Sequence, residues 1–180
     1  MNKKQLWIRY ASALALIVVA AFSRLIPHPA NFTAVAAIAL FGGVYLDRKI
    51  AFVVPVVAMF ISDYFIGFYG GMFWVYGSFA LIGLIGLWLK NHKTPIAILG
   101  GSLAGSIIFF VVTNFGEWTM PTSIYPHTWA GLTECFVMAI PFFRNTVSGD
   151  LVFVAVMFGA YEGLLVLMRK TESNQGAVVG

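Results

Sequence analysis

The chain has 180 residues, of which 60% are apolar, 16% aromatic and only 10% charged. A soluble domain cannot cover itself with water-facing surface on that composition, so the class expected is an all-α protein solvated by lipid. Its formal net charge of +4 does not point to nucleic acid, because the Lys and Arg residues lie in short clusters between apolar runs rather than in one patch. A single cysteine, Cys135, excludes an internal disulfide and a multi-cysteine metal site.

About 20 apolar helical residues cross a hydrocarbon core of about 30 Å. Six runs fit this pattern: Leu6 to Ile26, Thr33 to Leu46, Ile50 to Ile66, Trp74 to Leu89, Thr94 to Phe115 and Leu151 to Met168. Pro27, the cluster Asp47 to Lys49, the glycines Gly67, Gly70 and Gly71, and the segment Lys90 to Lys93 separate the first five. Lys3 and Lys4 ahead of Ala11 to Phe22 resemble a signal peptide, but the apolar run continues to Ile26 and reads as a retained helix. In Asn31-Phe32-Thr33, a formal glycosylation acceptor, the expected role is to cap the second helix.

The segment Gly116 to Asp150 is too polar to be one span, yet contains the semi-apolar piece Trp129 to Phe143. With Glu134, Cys135 and Pro141 inside it, this piece is expected to be a re-entrant or interfacial helix. Placing both termini in the cytoplasm puts Lys3, Lys4, Arg9, Arg48, Lys49, Lys90, Lys93, Arg169 and Lys170 inside, and leaves only Arg24 and Arg144 outside. That satisfies the positive-inside rule, whereas a seventh span would send Arg169 and Lys170 outward. The expectation is one transmembrane domain over residues 1–170 and a loose tail over 171–180.

Small residues four apart mark helix contacts in membranes. The candidates are Ala11 with Ala15, Gly101 with Gly105, and Gly159 with Gly163; the reading is internal packing, or a docking face for a second membrane protein. Glu162 and Arg9 lie at similar depths from one side, which predicts an ion pair.

Nearly all other polar residues fall at the opposite, outer end. Arg24, His28, Asn31, Asp63, Asn114, Glu117, Trp118, Tyr125, His127, Arg144 and Asn145 are the candidate binding residues for an extracellular small molecule. Arg24 and Arg144 would meet an anionic group, Asp63 or Glu117 a cationic one, and the aromatics would stack on the solute. No paired His or Glu spacing fixes a metal, no nucleophile signature surrounds Cys135 and His127, and no phosphate-binding loop is present. Neither a cofactor nor catalysis is therefore expected, with a small membrane enzyme built on the same outer cluster, or a non-catalytic assembly subunit, as the alternatives. Cys135 would serve as a ligand only to a solute that carries a metal, such as a corrinoid.

The segments Arg24-Leu-Ile-Pro-His-Pro-Ala-Asn-Phe-Thr33, Ala39-Leu-Phe-Gly-Gly43, Ser62-Asp63, Thr113-Asn-Phe-Gly-Glu-Trp118, Tyr125-Pro126 and Ala139-Ile-Pro-Phe-Phe-Arg-Asn-Thr146 resemble an uncharacterised family of small bacterial transport-type proteins. That family is similar to the substrate-binding S components of energy-coupling-factor vitamin transporters. The resemblance implies a subunit of the bacterial cytoplasmic membrane that captures a vitamin-like solute on the outer side. It further implies a transmembrane coupling subunit and ATPase subunits as partners, docked through small residues of the first helix such as Ala11 and Ala15.

Overall fold

A computed structural model describes residues 3–178, with side chains from residues 14–163 and at Ala11 and Val166. Six helices follow in order: α1 (Lys3–Leu25), α2 (Val35–Tyr45), α3 (Arg48–Ile66), α4 (Met72–Leu89), α5 (Pro95–Thr119) and α6 (Trp129–Val178). Four stretches are long and apolar enough to cross a membrane: Arg48–Ile66, Met72–Leu89, Pro95–Thr119 and the Trp129–Gly163 part of α6. The described apolar part of α1, Leu14–Leu25, and α2 are shorter.

Local chemistry accounts for most of the boundaries. Thr94 accepts a hydrogen bond from the Ala97 amide at 3.1 Å, and Pro95 follows at the first helical position of α5, where its missing N–H costs nothing. Gly67 (φ 106°) closes α3 and Gly71 (φ 76°) opens α4, backbone angles that side chains rarely adopt. The cap expected from Asn31 to Thr33 is not there. Asn31 instead takes the left-handed conformation (φ 64°) in the turn, and the Ala34 amide donates to Ser23 Oγ of α1 at 3.1 Å. The start of α2 is thus tied to the neighbouring helix rather than to its own leader.

α2 is the centre of the bundle. Every residue from Val35 to Val44 is buried, as expected for a helix apolar on all sides, and α2 packs against each of the other five helices. Its closest neighbour is α4. A Cβ added at Gly86 would stand 2.4 Å from the Leu40 carbonyl oxygen, and one at Gly43 would stand 2.6 Å from that of Gly83. The two backbones therefore touch, through glycines that the four-residue spacing rule did not single out. Gly101 and Gly105 behave as expected, receiving Leu89, Ile85 and Ile82 of α4. Gly159 and Gly163 have open space beside them, and Ala11 and Ala15 are exposed.

The largest departure lies in α6. Trp129 to Phe143 is not a separate re-entrant piece but the beginning of one helix that runs through Pro141 and on to Val178. Antiparallel pairing with α5 explains this continuity: Phe110 meets Phe136 and Phe143 at 5.4 and 4.7 Å between ring centroids, and the Cys135 thiol donates to the Asn114 carbonyl at 3.4 Å. A long apolar partner supplies on one side what the sequence around Glu134 and Pro141 lacks by itself. The 35 residues Trp129–Gly163 extend about 52 Å. The stretch expected to be a loose tail continues the helix to Val178.

Candidate functional site

With 11 residues, α2 is only about 16 Å long, roughly half the hydrocarbon thickness. Its longer neighbours rise past its N-terminus and leave a hollow of about 360 Å³ at that end of the bundle. Every helix contributes to the wall or its rim: Arg24 from the end of α1, with His28 just beyond it in the loop, Ala36 from α2, Met59 and Ile66 from α3, Val75 and Phe79 from α4, Phe109 and Thr113 from α5, and Thr146 and Asp150 from α6. Asn31, Thr33 and Tyr69 complete it from the loops.

Arg24 is fixed by a buried network. Its Nη1 lies 2.7 Å from Asp63 Oδ1 and donates to Ser62 Oγ at 2.5 Å and to the Met59 carbonyl at 3.4 Å. Asp63 is fully buried, and its second oxygen accepts the Tyr76 hydroxyl at 2.8 Å. Asp63 Oδ1 has the Arg24 charge beside it but no aligned hydrogen bond, so the buried pair is held chiefly by opposite charge. Next to it Tyr69 reaches in from the α3–α4 loop; burial and then the Asp63 carboxylate push its phenol above its ordinary value, with Arg24 acting in the opposite sense. His28 completes the rim, its ring nitrogens 2.7 and 3.3 Å from the Pro29 and Arg24 carbonyls.

On the opposite wall Asp150 is buried and accepts the Ser106 hydroxyl at 2.6 Å. The Ser102 carbonyl, 3.1 Å from the same hydroxyl oxygen, is the alternative acceptor for its single hydrogen. Phe79 and Phe109, with ring centroids 5.3 Å apart, form the aromatic side.

The structure gathers Arg24, His28 and Asn31 at this hollow and places Asp63 directly behind Arg24. The remaining expected residues lie elsewhere. Trp118 and His127 border a second, largely apolar hollow of about 430 Å³ with Phe115, Thr128, Trp129 and Leu132. Asn114 does not reach the main hollow: its side chain donates to the Phe110 carbonyl of its own helix at 2.7 Å. Glu117 and Arg144 are exposed, and Tyr125 and Asn145 are half-buried outside the lining. Arg144 therefore does not join Arg24 around one anion. Cys135 is buried against α5 rather than facing the hollow. Among the described residues no three His, Cys, Asp or Glu side chains stand together as a metal site. Glu162 accepts a hydrogen bond from the Tyr45 hydroxyl at the other end of the bundle, while the side chain of Arg9, its expected partner, lies outside the described residues.

The polar lining residues outside the set that the sequence reading expects to bind are Thr33, Tyr69, Thr113, Thr146 and Asp150, the last with its partner Ser106. Asp150 stood at the edge of an outer loop in that reading. Had residues 129–163 been taken as one helix, a carboxylate deep inside an apolar span would have been the signal.

These features define a class, a small all-helical protein with membrane-length helices around a polar-lined hollow. The chain belongs to a family of unknown function (DUF6580), which it matches over residues 4–173. No curated protein and no solved structure matches it.

Proposed function

We propose that this protein is an integral membrane protein of the bacterial cytoplasmic membrane, and that it captures a vitamin-like small molecule at its outer end as the solute-binding subunit of a transporter. The observation that carries the reading is the hollow above α2. Its volume of about 360 Å³ falls within the range of small-molecule pockets, about 300–1,000 Å³. It also combines aromatic walls with a few fixed polar groups, the composition such pockets use to orient a ligand.

Topology supports the same reading. The hollow opens at the end where α1, α3 and α5 finish, and Arg48, Lys49, Lys90 and Lys93 all sit at the opposite end. The positive-inside rule puts that basic end in the cytoplasm, so the hollow faces outward, in line with six membrane-embedded helices and cytoplasmic termini. α2 crosses only part of the bilayer and is sheltered from lipid by its neighbours. Delivery inward requires the bundle to move against a coupling subunit driven by ATPases, and the exposed Ala11 and Ala15 of α1 offer a face for close helix packing.

The test is native mass spectrometry of the full chain purified in mild detergent from cells grown on rich medium. A stoichiometric small-molecule adduct is expected in the unaltered protein, and its loss in Thr113→Trp, which fills the hollow from α5. An adduct retained in that variant, or none across several media, overturns the capture reading.

A further inference from the structure

Asp150 is the acidic group of the hollow that the capture reading leaves without a counter-charge. It is 4% exposed, and its hydrogen-bond partner is the neutral Ser106 hydroxyl at 2.6 Å. Arg24, the cation in the lining, is already engaged by Asp63 at 2.7 Å. Arg24 and Asp63 answer each other, so Asp150 is left as the acidic group of the wall with no basic side chain bonded to it, His28 being the other titratable group of the lining.

Asp150 also borders a narrow void beneath the hollow together with Ala36, Ala37 and Ser102, which places it beside the first turn of α2. A helix N-terminus carries about half a positive charge, short of what a full carboxylate requires. A buried ion without a partner is strongly disfavoured, and a ligand that brings the missing charge recovers that cost on binding. Ser102 adds a second unsatisfied group on the same side: it is 4% exposed and its hydroxyl oxygen has no partner. The lining also includes Phe79, Phe109 and Tyr69, and aromatic rings attract both planar molecules and cations.

We infer that Asp150 is the recognition point for a protonated nitrogen of the captured solute, which makes the solute class a small, flat organic cation. This inference rests on the capture reading and narrows it. Arg24 then belongs to the framework of the site, closed off by Asp63, rather than to an anion-binding element.

Benzamidinium, benzamide and benzoate test this directly, because they share nearly one shape and differ in charge. Isothermal titration calorimetry on the full chain in detergent is expected to give benzamidinium a Kd at least about tenfold below that of benzamide, with benzoate the weakest. Asp150→Asn keeps the side-chain volume and is expected to erase the preference. The comparison of the three probes on the unaltered protein stands even if that variant does not fold. Benzamide or benzoate binding as tightly as benzamidinium, a preference that survives Asp150→Asn, or no binding by any of the three at millimolar concentration overturns the assignment. A neutral or anionic adduct in the native mass spectrum would also overturn it while upholding capture, so the two readings fail separately.

Discussion

Replacing Gly86 by alanine tests the packing that creates the hollow. The added Cβ would lie 2.4 Å from the Leu40 carbonyl oxygen and 3.0 Å from the Gly43 Cα, all of it backbone, so no side chain can rotate away. Ordinary contact needs about 1 Å more, and α2 must move away from α4 to provide it. Overpacking of this kind costs about 1–3 kcal/mol. Gly100 of α5 is the matched control: nothing lies within 4 Å of its added Cβ, and alanine there is expected to stabilise the helix by about 0.5–1 kcal/mol. The two variants, chemically identical, should differ by about 1.5–4 kcal/mol, which corresponds to melting temperatures roughly 3–16 °C apart for a chain of this size. Fluorescence-detected size exclusion after heating in detergent measures this. Melting of Gly86→Ala within about 2 °C of Gly100→Ala would refute the direct backbone contact.

Three further outcomes are expected. Arg24→Met or Asp63→Leu alone leaves a buried charge unpaired and should destabilise by about 3–5 kcal/mol, while the double variant recovers most of the loss; thermal unfolding of all three checks this, and an additive double variant contradicts it. Ser102→Ala removes a buried hydroxyl that has no partner, so it should leave stability unchanged or raise it by up to about 1–3 kcal/mol, read as an unchanged or higher melting temperature. In a Cys135→Ala background, a cysteine at Gly67 should react with a membrane-impermeant maleimide in intact cells and one at Asn91 only after lysis; the reverse pattern would invert the proposed orientation.

Much of the fold is legible in the residues because the hydropathy of a lipid-solvated helix is a local property. The ends of α3, α4 and α5 fall within a few residues of the expected runs, each marked by a charge cluster, a glycine or a proline. Trp129 to Phe143 was not legible in this way. Glu134 and Pro141 argue locally against a long helix, and contacts from α5, far away in sequence, such as those of Phe110 and Asn114, hold it in place. The same reason hid the α2–α4 contact, since Gly43 meets Gly83 and Gly86 across two helices and no spacing within either one announces the crossing.

The candidate site divides along the same line. Composition and apolar runs by themselves determine a helical chain with stretches long and apolar enough to cross a membrane, because each depends only on a residue and its immediate neighbours. Which polar residues meet was decided by tertiary structure. The shortness of α2 opens the hollow, Arg24 closes on Asp63 instead of reaching Arg144, and the long α6 brings Asp150 from the edge of an expected loop to the wall opposite. Pairing of charges is a property of distances across the bundle, and a linear sequence does not contain those distances until the helices have packed.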